Sequence, residues 1–170
     1  TMKNNIQVDA TDQQGNRAEG VSLTITYLPK NSTLITLWIG KKEAEITKQA
    51  IMKPTFLEAP PEIKNGKTMV PLRFVGEAFG AKVDWNAKSS EITIPLGKKI
   101  LSLWIGIDYI FVDNEGEYEE IPLDSPPYIK NGRTMVPIRA ISEAFGAKVE
   151  WDAKEKKITI LYTPEETTGP

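Results

Sequence analysis

The stretch PPEIKNGKTMVPLRFVGEAFGAKVDWNAKSSEITI, residues 60–94, decides the fold, because it recurs as PPYIKNGRTMVPIRAISEAFGAKVEWDAKEKKITI at residues 126–160. Extended outward without gaps, Leu34 to Ile94 aligns with Ile100 to Ile160 at an offset of 66 residues, and 29 of 61 aligned positions are identical. Self-similarity at one fixed offset is the mark of a duplicated structural unit.

Each copy reads as mostly strand with one short helix. Lys64-Asn65-Gly66-Lys67 and Lys130-Asn131-Gly132-Arg133 carry the Asn-Gly pair that favours a type I′ hairpin turn. Thr68-Met69-Val70 is therefore expected to pair back on Glu62-Ile63. A helix is expected to start with Pro71 or Pro137 at its first position and to end at Gly80 or Gly146. Leu72, Val75, Ala78 and Phe79, matched by Ile138, Ile141, Ala144 and Phe145, form its apolar stripe. Val83 and Trp85, then Ile92 and Ile94, alternate with polar residues as half-buried strands do. LITLWIG (34–40) and ILSLWIG (100–106) are strand-like as well.

Composition removes several chemistries. The 170 residues include no His and no Cys, so disulfides, thiolate nucleophiles and imidazole ligands are excluded. A net charge of -2 with scattered basic residues gives no footprint for nucleic acid or an anionic membrane. Apolar runs are too short for a bilayer span or a signal peptide. No nucleophile elbow, P-loop, dinucleotide fingerprint or zinc spacing is present.

The block TMVPLR, EAFGAKVDW, EITI, met twice in the same order, resembles the copper amine oxidase N-terminal-like domain, also called the stalk domain, over residues 34 to about 162. The resemblance implies an antiparallel sheet wrapped on a helix, carrying neither the copper nor the quinone of the oxidase. It further implies a Gram-positive surface or secreted protein in which such domains stand beside immunoglobulin-like, S-layer-anchoring or hydrolase modules. VDATDQQGN followed by VSLTITY resembles the last two strands of a bacterial immunoglobulin-like domain. Copper chemistry is expected to be absent, because the imidazoles it needs are missing.

Four groups of residues are candidates for something beyond the fold. Asp108, Asp113, Glu115, Glu117, Glu119, Glu120 and Asp124 lie in a segment without Lys or Arg from Ile100 to Ile129, and Asp9, Asp12 and Asn16 crowd one turn. Calcium suits such oxygens, but the EF-hand spacing is absent and a solvated face or a capped loop explains both. Arg73 and Glu77, like Arg139 and Glu143, stand four apart on a helix face and read as structural ion pairs, with ligand binding by the arginines as the alternative. Trp85 and Trp151 are in phase with Val83 and Val149 and are expected to serve the core. Trp38 and Trp104 are out of phase with their apolar neighbours. The expectation is that they fill a seam between packed sheets; on an open face they would instead be ligand or partner contacts, stacking sugar rings or a protein.

The sequence thus reads as an α+β protein of antiparallel sheets, each packed on one short helix. Residues 1–33 form an immunoglobulin-like tail hairpin, 34–96 the first repeat, 97–162 the second, and 163–170 a linker. The short link from Pro95 to Lys99 leaves open whether the repeats exchange strands. No cofactor and no metal is expected, and the chain is not read as an enzyme. The expected role is an extracellular, non-catalytic module that spaces, displays or joins domains of a bacterial surface protein; the alternative is carbohydrate binding. Expected partners are neighbouring domains, a polysaccharide, or a second copy met through the apolar face of residues 21–27, with no nucleic acid and no membrane insertion.

Overall fold

A computed structural model describes the strands Lys3–Gln7 and Ser22–Thr26, and residues 28–49 and 51–164 with their side chains. Two compact units are present, Thr1–Lys30 and Asn31–Pro170. In the first, β1 (Lys3–Gln7) pairs antiparallel with β2 (Ser22–Thr26), with Ile6 opposite Leu23, which is the expected hairpin. The Asp9, Asp12, Asn16 turn, the apolar face of residues 21–27 and most of the tail lie outside the described residues.

The second unit runs through the same eight elements twice. The first repeat supplies β3 (Thr33–Trp38), β4 (Glu43–Lys48), β5 (Ile51–Phe56), β6 (Glu62–Lys64), β7 (Lys67–Pro71), α1 (Leu72–Phe79), β8 (Asp84–Asn86) and β9 (Glu91–Leu96). The second supplies β10 (Lys99–Trp104), β11 (Tyr109–Asn114), β12 (Glu117–Pro122), β13 (Tyr128–Lys130), β14 (Arg133–Pro137), α2 (Ile138–Ala144), β15 (Lys148–Asp152) and β16 (Lys157–Tyr162). The protein is mostly antiparallel sheet with two short helices, as the composition of each repeat implies.

Local chemistry sets these elements. Asn65 and Gly66 have φ of 51° and 74°, and Asn131 and Gly132 have 50° and 72°, the paired positive values of a type I′ turn. Glu62 consequently faces Met69 and Ile63 faces Thr68. Each proline closes its strand and caps the helix instead of occupying the first helical turn: Pro71 has ψ of 116°, and Pro137 has 115°. Gly80 ends α1 in the left-handed region at φ 92°, and Gly146 follows α2 at 79°.

The repeats exchange strands. One five-stranded sheet has the order β12-β11-β10-β9-β8, the other β15-β16-β3-β4-β5, and a four-stranded sheet β13-β14-β7-β6 lies between them in sequence. Each five-stranded sheet therefore takes three strands from one repeat and a hairpin from the other. The repeat boundary at 96/97 falls in the turn joining β9 to β10 within one sheet. In the four-stranded sheet Val70 pairs with Val136, Met69 with Pro137 and Pro71 with Met135. Adding 66 to Val70 gives its own partner, so a local two-fold axis passes between these two valines.

Alternation along β7 and β14 then sorts the side chains. Val70 and Val136 join the large core with Ile35, Leu37, Ile94, Leu101, Leu103 and Ile160, while Met69 and Met135 turn to a second cluster with Ala59 and Tyr128. Each wholly buried aliphatic side chain contributes about 1.5–3 kcal/mol. The helices carry the same symmetry: Phe79 and Phe145 meet edge to face at 5.9 Å, and Tyr162 stacks on Phe79 at 4.6 Å. At the positions of Gly76 and Ser142 the copies differ. A Cβ on Gly76 would stand 2.8 Å from Val83 Cγ2, whereas Ser142 is fully buried and its hydroxyl finds no hydrogen-bond partner among the described residues.

Two outcomes are expected. Residues 31–97 and 98–164 expressed separately should be unfolded or self-paired, and should form a 1:1 complex on mixing, as read by circular dichroism and size exclusion; a stably folded single-repeat monomer would refute the exchange. Ser142→Ala should stabilise the fold by about 1 kcal/mol in chemical denaturation, since it removes an unpaired buried hydroxyl and improves helix propensity.

Candidate functional site

The two five-stranded sheets turn one face inward. In the β10–β11–β12 sheet, Leu101, Leu103, Ile110 and Val112 are buried at 0%, 0%, 0% and 5% exposure. Alternation sends Ser102, Trp104, Tyr109 and Phe111 to the opposite face. Register adds Tyr118 and Glu120, which lie across from Asp113 and Phe111. The Trp104 and Tyr109 rings lie 6.0 Å apart, and Phe111 stacks on Tyr118 at 5.4 Å and 23°. Tyr118 is 66% exposed.

Trp104 and its counterpart Trp38 are half-buried on these outward faces and belong to neither core cluster. They were expected in a seam between sheets. The strand alternation places them on the faces turned away from the core. The repeats also differ here: Glu43, Glu45 and Met52 occupy the places of Tyr109, Phe111 and Tyr118. Trp38 is met instead by the Lys41 ammonium, 6.0 Å from its ring centre. Sequence reading missed Tyr109, Phe111 and Tyr118. The signal available was the presence of aromatic residues in one repeat alone, at places where the other has two Glu and a Met.

Trp85 and Trp151 also depart from expectation. They face the helix side, in phase with Val83 and Val149, yet remain 43% and 40% exposed. The helix starts, Leu72-Arg73 and Ile138-Arg139, lie beside them without covering them. Each tryptophan lines a groove instead. Trp151 shares a groove of about 900 Å³ with Ile138, Arg139, Lys67 and Glu117, and Trp85 shares one of about 250 Å³ with Leu72, Arg73 and Arg133. Every residue of the smaller groove has its 66-residue counterpart in the larger. Both combine the helix start of one repeat with the Asn-Gly turn of the other.

Those turns are fastened by equivalent ion pairs. Lys67 reaches Asp124 at 2.7 Å, and Arg133 reaches Glu58. Arg73, Glu77, Arg139 and Glu143 are exposed, and among the described residues no ion pair joins Arg73 to Glu77 or Arg139 to Glu143. Arg73 and Arg139 line the grooves instead.

Symmetry breaks at Glu62 and its counterpart Tyr128. The Tyr128 hydroxyl and the Lys130 ammonium both donate to the Glu62 carboxylate, and Lys64 Nζ sits 3.5 Å from the centre of the Tyr128 ring. Hydrogen bonds from Lys130 and then Tyr128 hold the Glu62 carboxyl below its usual range. Burial, then donation to Glu62, pushes the Tyr128 phenol above the usual range.

The structure is that of an internally two-fold, antiparallel α+β module. The chain belongs to the copper amine oxidase N-terminal domain family, whose model matches residues 17–94 and, overlapping, 50–160. No curated protein and no solved structure matches it. Domains of this family are non-catalytic accessory modules. Copper, which the family name carries, does not fit the donors present. The chain has no His or Cys, and among the described residues no three acidic side chains converge. The acidic segment 108–124 is spread along β11, β12 and their loops.

Tyr128 gives a pH test. Its folded-state proton is held above the unfolded phenol value of about 10, so the contact is complete below that pH and stability falls as pH rises through the raised value. The lowered Glu62 carboxyl works in the opposite sense, losing its contribution as pH falls below about 4. Tyr128→Phe should cost about 1 kcal/mol at pH 7. Denaturant titrations at pH 8 and pH 11 should show a larger alkaline loss in wild type than in this variant; equal losses would count against the assignment.

Proposed function

We propose that the chain is a non-catalytic extracellular module of a bacterial surface protein, which displays a face to the side of its parent and joins neighbouring domains. The observation that carries the reading is the pairing of β16 with β3, in which Thr33 stands opposite Tyr162. Paired Cα atoms lie about 5 Å apart, so the chain enters and leaves the unit at one place. A spacer lengthens a protein by holding its ends apart; this unit adds almost no length along the chain. It supports display over spacing.

Joining is supported by β5, the edge strand of the β3–β4–β5 sheet, which pairs on one side alone among the described residues. On β5, Ile51, Met52 and Phe56 are 61%, 53% and 72% exposed, whereas the equivalent edge β12 is acidic. An apolar edge strand favours protein contact, and charge on an edge opposes it.

An antibody raised against residues 31–164 should label intact cells carrying the parent protein as strongly as lysed ones, and labelling confined to lysed cells would exclude the surface reading. Spin labels at Asn31 and Thr163 should report a short separation. A separation near the full length of the unit would restore spacing.

A further inference from the structure

We propose that the outer face of the β10–β11–β12 sheet is a binding platform for a neutral polysaccharide chain. The rings of Trp104, Tyr109, Phe111 and Tyr118 share this face, and Ser102 and Glu120 flank Phe111 in register on either side. Sugar rings present apolar C–H faces that stack on aromatic rings, and hydroxyl rims that bond to Ser and carboxylate oxygens. Alternating rings and oxygens on one sheet face match both halves of that chemistry.

The fold does not require the rings. The related sheet keeps its strands with Glu43, Glu45 and Met52 at three of the four positions, so the strand pairing does not call for these rings. The charge selects the occupant. No Lys or Arg lies between Ile100 and Ile129, while seven acids do, so an anionic polymer is repelled. A protein docked flat on this face would bury Glu120 and Asp113 without a cation supplied by the platform, which is costly. A neutral glycan leaves Glu120 bonded to hydroxyls, and Asp113 keeps the Gly116 N–H that it accepts at 2.9 Å.

The full chain is tested by pull-down on insoluble cellulose, chitin and xylan, with de-esterified pectin as the anionic comparison. Retention is expected on at least one neutral polymer and not on pectin. Tyr118→Ala should weaken it about tenfold at an unchanged melting temperature, and Trp104→Ala at least as much. Trp85→Ala, in the smaller groove that no platform residue lines, should bind as wild type. Retention on no neutral polymer, retention on pectin alone, wild-type binding by Tyr118→Ala, or loss of binding in Trp85→Ala would each overturn the platform.

Discussion

The two-residue turn Gly97-Lys98 determines how this unit is built. With β9 ending at Leu96 and β10 starting at Lys99, two residues leave no path except an antiparallel hairpin, and Gly97 supplies a φ of 60° at its corner. The last strand of the first repeat is thereby committed to the first strand of the second. That leaves β3 without its neighbour, and β16, the equivalent of β9, completes the sheet from the far end of the chain. A duplication that could have produced two separate bodies produces one, because the linker is too short for either half to close on itself.

Closure around a two-fold axis divides the surface from the core. Positions near the axis, Val70 with Val136 and Phe79 with Phe145, are constrained twice over and remain identical. Away from the axis the copies are free to diverge. The outer faces take opposite characters there, and even at the axis one pair of equivalents, Glu62 and Tyr128, has diverged into hydrogen-bonded partners. Duplication thus leaves one sheet to keep the fold while the other carries a new surface.

Much of this was legible from residues. Asn65-Gly66 fixes a turn through its backbone preference, and Gly80 fixes a helix end, so those elements lie where their chemistry puts them. The tryptophans were legible by halves. Period-two phase tells which side of a strand Trp85 or Trp38 occupies, but whether that side is covered depends on which elements pack over it, which is a tertiary fact. Arg73 and Glu77 have helical spacing without the contact, because exposed long side chains gain little by pairing. The aromatic face stayed hidden because its rings come from β10, β11 and β12, and only register brings them together.

The pairing of Thr33 with Tyr162 has a mechanical consequence. Force applied through the flanking chain pulls on the same end of two antiparallel strands, so it opens their hydrogen bonds one at a time from that end instead of loading them all in shear. Once β16 peels from β3, one sheet has lost the strand that closes it, and the hairpin β15–β16 no longer holds its half of the unit. Under tension the unit yields progressively, releasing up to roughly 400 Å of chain.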